Sequence, residues 1–197
     1  MMDCVWLGRA DYEPVLSRQL AVREQVWAGG EGLVLLCEHP PVITLGRSAN
    51  RANVLAADDI PVVPIERGGD VTYHGPGQLM VYPVVRVKSV VDFLARVAGA
   101  LAEACAAFGV TGAQWRRDPA GLWLGDAKLG ACGIHVARGV STHGWALNVA
   151  TPADAWRRIV PCGLSVPQIS LSTAAGREIA VGDVAHEAAP RIAAALS

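Results

Sequence analysis

Lysine is scarce in this 197-residue chain: of its 17 basic residues only Lys88 and Lys128 are lysines. Charge imbalance is missing too, because 18 acidic residues leave a formal net charge of -1 and a pI near 6.5. Without a global positive field there is no long-range pull on nucleic acid, which excludes that class of partner and leaves any charge-guided partner to a local patch. No clean bilayer-length apolar run exists. The longest, Val90 to Val110, contains Asp92, Arg96 and Glu103 and reads as a soluble amphipathic helix, so no membrane is expected as partner. A basic, apolar, small-residue leader is also lacking, since Asp3, Arg9, Asp11 and Glu13 interrupt it; a cytoplasmic protein is expected. The five cysteines (Cys4, Cys37, Cys105, Cys132, Cys162) form an odd set with no C-x-x-C pair, which argues against a disulfide scaffold and against a zinc ribbon. Phosphate-loop, H-E-x-x-H and G-x-S-x-G signatures are absent, as are repeats, linkers and low-complexity stretches.

What is present is a chain for one globular domain over 1–197: it is 52% hydrophobic and 18% charged, a length that removes roughly 70% of the unfolded surface from water. Asp11 predicts a helix start, running to about Ala28, with Pro14 in the first turn and Tyr12, Val15, Leu16, Leu20, Val26 and Trp27 near one face. Leu33 to Cys37, Val42 to Leu45, Val62 to Ile65 and Gln78 to Val87 read as strands. Ser89 with Asp92 three residues later opens a second long helix, closed by Gly109. Gly121 to Leu124, Lys128 to Val136 and Thr142 to Val149 read as strands of a second sheet region. A short helix at Ala153 to Val160 and a C-terminal helix capped by Asp183 and kinked by Pro190 complete the order. Strands and helices in unequal blocks favour α+β over a doubly wound sheet.

Four features bear on chemistry. Arg67-Gly68-Gly69 and His74-Gly75-Pro76-Gly77-Gln78 are glycine-dense loops beside strands, where backbone can approach a ligand; turn chemistry explains the glycines and proline but not Arg67 or His74. Lys128 in Gly125-Asp126-Ala127-Lys128-Leu129-Gly130 is an amine in a chain that otherwise uses arginine, and only an amine can act as a base near neutral pH, although codon bias also favours arginine. Cys162 sits between Pro161 and Gly163 on a turn, whereas Cys4, Cys37 and Cys105 lie in apolar runs and read as packing residues. A neighbouring ammonium such as that of Lys128 would lower the Cys162 thiol from about 8.5 toward neutrality. Cys132 is the rival nucleophile, since strand alternation puts Gly130 and Cys132 on the face of Lys128. His143-Gly144 with Asn148 forms the fourth polar cluster; His39, His135 and His186 read as structural, and Lys88 as solvated.

Taken together these segments resemble the lipoyl(octanoyl) transferase family, the octanoyl-carrier-protein:protein N-octanoyltransferases. The resemblance runs through Leu36 to Arg47, Arg67 to Gln78 with Tyr82-Pro83, Lys128-Leu129-Gly130 through Gly133, Thr142-His143-Gly144 with Ala146 to Val149, and Pro161-Cys162-Gly163, in the family's order and over most of the chain. Where the family more often has aliphatic and basic residues, this sequence carries Cys132 and His135. The resemblance implies the α+β fold of biotin and lipoate protein ligases, with mixed sheets flanked by helices. It implies a Cys162/Lys128 dyad and a substrate pocket of Arg67, Gly68, Gly69, Tyr73, His74, Gly75, Tyr82, Gly130, Gly133, His143, Gly144 and Asn148. It implies no cofactor and no metal. The partners implied are octanoyl acyl carrier protein as donor, and as acceptors the lipoyl domains of 2-oxoacid dehydrogenases and the glycine cleavage H protein, met by a monomer. Arg47, Arg51, Arg157 and Arg158 are candidates for docking these acidic domains. The competing readings are an ATP-dependent lipoate or biotin protein ligase, distinguished by ATP dependence, and a non-catalytic acyl or carrier-binding module, distinguished by binding without turnover.

Overall fold

A computed structural model describes residues 2–160 and 166–197. Among the described residues, ten strands and four α-helices follow one another as β1 (Asp3–Arg9), α1 (Tyr12–Trp27), β2 (Leu33–Glu38), β3 (Val42–Leu45), β4 (Val62–Pro64), β5 (Val71–His74), β6 (Gln78–Val84), α2 (Val90–Ala107), β7 (Ala113–Arg117), β8 (Ala120–Leu124), β9 (Ala127–Ala137), β10 (Val140–Asn148), α3 (Leu171–Ala175) and α4 (Val181–Leu196). Two 3-10 turns, Arg51–Asn53 and Ala153–Arg158, interrupt the loops. Asp11 precedes α1 as expected but makes no side-chain cap, and Ala180 rather than Asp183 stands at the cap of α4, which continues through Pro190. The Ser89 cap does form: its hydroxyl accepts from the Asp92 amide.

The strands divide differently from the sequence expectation. β8, β9 and β10 do not start a second sheet; they continue the first, in the order β1-β2-β6-β10-β9-β8-β7, while the separate sheet is β4-β3-β5. Hairpin connections from β7 through β10 allow the antiparallel continuation, and β1 closes the other edge by parallel pairing with β2. One face of the large sheet carries Leu36, Leu79, Val81, Trp145 and Leu147, packed under α2 and α4 by Val97, Leu101, Val184 and Ile192. Residues three and four apart on α2 supply that stripe. No helix of the described residues is long and apolar enough to cross a membrane.

The opposite face receives α1 and the small sheet. Along α1 the buried positions are Tyr12, Val15, Gln19, Val22 and Val26, while Leu16 and Leu20 are only half-buried. Val15 packs with Leu35, Cys37, Met80, Tyr82 and Ala146, and Val22 and Val26 with Val84 and Val140. Gln19, buried where leucines were expected, accepts a hydrogen bond from the His143 amide of β10.

Candidate active site

The small sheet is joined to the large one through the Arg67 loop. Arg47 N donates to Arg67 O at 3.0 Å, and Gly68 N donates to Ile134 O of β9 at 3.0 Å. Between them the Arg67 guanidinium is buried and donates to the Thr44 hydroxyl and carbonyl at 2.9 Å each and to Gly68 O at 2.9 Å. A permanent charge held by fixed acceptors is thereby placed at the wall of a cleft. That cleft is lined by Tyr12, Ile65, Arg67, Thr72, His74, Met80, Tyr82, Ala131, Cys132, Gly133, His143, Gly144, Trp145 and Ala146, and holds about 420 Å³ of space between atoms, part of it continuous with solvent. The space open to a water-sized sphere is only about 30 Å³, so the likeness to a ligand site rests on the apolar lining with a few converging polar groups and not on size.

Local geometry explains why His143 faces it. The β6–β10 ladder runs from Asn148↔Gln78 to Trp145↔Val81, and two residues further its register meets Pro83, which has no amide hydrogen to offer. There His143 takes φ +60, uncommon for a residue with a side chain, and its amide donates to Gln19 Oε1 at 2.7 Å. Beside it Gly144 permits close strand approach, since a Cβ there would run into Val81 O.

Hydrogen-bond bookkeeping fixes the protons on the wall. His39 Nδ1 donates to the Ala10 carbonyl at 2.6 Å, so the Tyr82 hydroxyl donates to His39 Nε2 at 2.9 Å. Gln78 Nε2 donates to Asn148 Oδ1 at 3.1 Å, leaving Gln78 Oε1 to accept from His74 Nδ1 at 3.2 Å. Burial, reinforced by the Arg67 charge, pushes His74 down to about 3 and His143 down to about 4. Both imidazoles are therefore neutral at pH 7. Burial likewise lowers His39 and drives the Tyr82 hydroxyl well above its ordinary value.

Of the residues expected in the pocket, Arg67, His74, Tyr82, Gly133, His143 and Gly144 line the cleft. Asn148 stands one hydrogen bond behind, through Gln78. Gly68 and Gly69 shape the Arg67 loop rather than the wall, and Gly130 faces Leu122 and Leu147 on the helix side. Tyr73 does not line this cleft: on β5, Thr72 and His74 face it, so alternation turns Tyr73 the other way, against Trp156 under the 3-10 turn, with Gly75 packed on its hydroxyl. Sequence reasoning missed Tyr12, Thr72, Gln19, Gln78 and His39. For Gln19 the signal was a polar residue on the buried stripe of α1; His39 had no local signal, since its partner Tyr82 is distant in sequence.

Lys128 does not line this cleft. It lies on β9, buried, with Nζ 5.6 Å from the centre of the Trp123 ring. Strand register shows where it faces. Trp123 pairs with Lys128 but Leu122 pairs with Gly130 and Gly121 with Ala131, so the ladder shifts by one residue at Leu129. Lys128 therefore shares its face with Ala131, which lines the cleft, at about 10 Å along the strand. The same shift overturns Cys132 as a companion of Lys128. Cys132 pairs with Trp145, which pairs with Val81; that row packs on the helix side, although Cys132 and Trp145 also border the cleft. Cys37 and Cys105 are core residues whose thiols burial pushes up to about 12, and Cys4 is pushed up to about 11. Cys162 lies outside the described residues. The segment after it is fixed beside Lys128: Lys128 N donates to Pro167 O at 2.8 Å and Ile169 N donates to Lys128 O at 3.1 Å. Before it, Val160 N donates to Asn53 O at 2.8 Å. Among the described residues no group of three or more His, Cys, Asp and Glu is arranged to hold a metal ion.

Architecture places the molecule with the lipoate and biotin protein ligases. It superposes on the lipoate protein ligase of a bipartite system from Thermoplasma acidophilum with a TM-score of 0.72 at 13% identity, covering 100% of this chain and 84% of that one. On a biotin protein ligase from Aquifex aeolicus the TM-score is 0.59 at 12% identity, covering 100% and 71%. Those likenesses speak for the fold alone. Sequence comparison narrows the class: the chain belongs to the lipoyl protein ligase A/B catalytic domain family, whose model matches residues 11–193. Similar proteins include the octanoyltransferase of Solibacter usitatus, 42% identical over 177 residues that cover 84% of this chain and 80% of that one. The octanoyltransferase of Geobacter metallireducens is 42% identical over 193 residues, covering 94% and 89%.

Proposed function

We propose that the chain is an octanoyltransferase that moves an octanoyl group from acyl carrier protein to a lysine of lipoyl domains through a thioester on Cys162, as the first step of endogenous lipoate synthesis. The observation that carries the reading is the setting of Lys128: a buried amine on the cleft face of β9, hydrogen-bonded through its backbone to the chain that follows Cys162. Similarity to octanoyltransferases over most of the chain supports the acyl group and the reaction class.

In the first half-reaction the Cys162 sulfur attacks the thioester carbon, and the carbon–sulfur bond to the carrier's pantetheine breaks. Lys128 takes the thiol proton and returns it to the departing sulfur. One thioester replaces another, so this exchange is nearly balanced. In the second, the acceptor lysine amine attacks the acyl-enzyme, an amide forms, and the Cys162 sulfur leaves with the proton that the amine sheds through Lys128. The amide is the more stable product and draws the sequence forward without ATP. Ile65, Met80, Ala131 and Ala146 give the acyl chain an apolar wall, each buried methylene contributing about 0.8 kcal/mol. Neutral His74 and His143 let that wall hold polar groups without adding charge where the chain lies. Arg47, Arg51 and Arg157 are exposed around the small sheet and stand as candidates for docking acidic carrier domains, while Arg158 is paired with Asp58 at 2.8 Å.

The test is transfer from octanoyl acyl carrier protein to a lipoyl domain with and without ATP, followed by intact-protein mass. Turnover without ATP and one octanoyl adduct, lost in Cys162→Ala, are expected. An absolute need for ATP would assign the chain to the ligases; an adduct that persists in Cys162→Ala would reject Cys162.

A further inference from the structure

Lys128 is 5% exposed, yet among the described residues its Nζ forms no ion pair and no hydrogen bond; what it meets is the Trp123 ring at 5.6 Å. That distance is within the range over which an aromatic face attracts a cation. The indole is itself fixed, 3% exposed, with Nε1 donating to Pro119 O at 3.1 Å and the Arg116 guanidinium carbon 5.0 Å from its centre. A carboxylate partner would commit the ammonium's protons. An aromatic face holds the cation and leaves the N–H bonds to other acceptors, which an acid–base amine requires. The next strand position shapes the route to the ring: a Cβ on Gly121 would lie 2.6 Å from Lys128 Cε, 3.3 Å from Trp123 Nε1 and 2.7 Å from Gly130 O. The ladder shift at Leu129 then turns the side chain onto this pair, as bulges beside active sites re-aim a residue.

We propose that Trp123 and Gly121 are positioning residues for Lys128, the indole face holding the ammonium and the absent Cβ leaving room for its methylenes. The proposal rests on the acid–base role assigned to Lys128 above, and its test separates the two. The chain has two lysines, and Lys88 is exposed. Protein labelled with ε-13C lysine therefore gives two signals, assigned by Lys88→Arg. The Lys128 Hε signal is expected upfield of that of Lys88 through the indole ring current, and to move to the Lys88 position in Trp123→Met. In the same variant kcat for octanoyl transfer should fall about tenfold or more, with donor KM within about twofold of wild type, while Trp123→Phe, which keeps a ring face, stays within about threefold. Gly121→Ala should move the Lys128 signal as well. Coincident lysine signals in the wild-type protein, a reading that needs no variant to fold, would overturn the proposal. So would a Trp123→Met enzyme with unchanged kcat, or equal losses in the Met and Phe variants. Full turnover by Lys128→Arg would instead reject the acid–base role while leaving the spectroscopic result standing.

Discussion

The two faces of the seven-stranded sheet are built from alternate residues of the same strands and have opposite chemistry. On the helix side β6 contributes Leu79 and Val81 to a core shared with Leu101, Trp145 and Ile192. On the cleft side the same strand contributes Gln78, Met80 and Tyr82, joined by buried Arg67, His39, His74, His143 and Asn148. Both sets are removed from water. Apolar burial stabilises at about 25 cal/mol per Å², whereas each buried polar group costs free energy unless its hydrogen bonds are replaced. The cleft side meets much of that requirement through the Tyr82–His39–Ala10 and His74–Gln78–Asn148 chains, while Gln19 Nε2 finds no partner among the described residues. Stability is concentrated on one face and chemistry on the other.

Loss of catalysis without loss of fold is the largest effect this division predicts. Lys128→Arg, which keeps the charge but gives up a transferable proton, should lower turnover by about 100-fold or more. Thermal unfolding and acyl-transfer assays on one preparation check it. Leu101→Ala, on the helix face, should do the reverse: about 2–5 kcal/mol of stability lost in urea unfolding, with kcat and KM unchanged. A smaller effect comes from acid. His74 and His143 bind protons more tightly in the unfolded chain, near the ordinary 6.5, than in the native cleft, at about 3 and about 4. Between those values the unfolded state carries more protons, so the stability present above pH 6.5 declines as pH falls, on the order of a few kcal/mol by pH 5. Urea unfolding at pH 7, 6 and 5 should show this slope, flattened in a His74→Gln/His143→Gln protein and unaltered by Leu101→Ala. An equal slope in all three proteins would erase the contrast between the faces.

The elements that were legible in the sequence are those whose pattern is local. α2 carries its Ser89 cap and a 3.6-residue apolar stripe and appears within two residues of its expected ends. β3 matches residue for residue. β1, β5, β7 and α3 were not legible: β1 and β7 are edge strands of ordinary composition, and β5 hides among the glycine-rich loops. The merging of β8–β10 into the first sheet is set by non-local pairing with β6, which no local pattern encodes. At the site, Arg67 and His74 were legible as charged or imidazole residues in turns that did not need them. Tyr73 faces away from the cleft because the phase of β5 depends on which sheet face is covered. Cys132 was misplaced because one inserted residue at Leu129 reverses the alternation on which the reading relied.

The dyad is tested most directly by the pH dependence of Cys162 alkylation, read by peptide mass spectrometry in wild-type protein and in Lys128→Met. In wild type the reactivity of Cys162 should titrate near neutral pH, with Cys37 and Cys105 silent because burial holds their thiols at about 12. In Lys128→Met it should move up toward the ordinary thiol value of about 8.5. Superimposable profiles from the two proteins would contradict the partnership of Lys128 and Cys162.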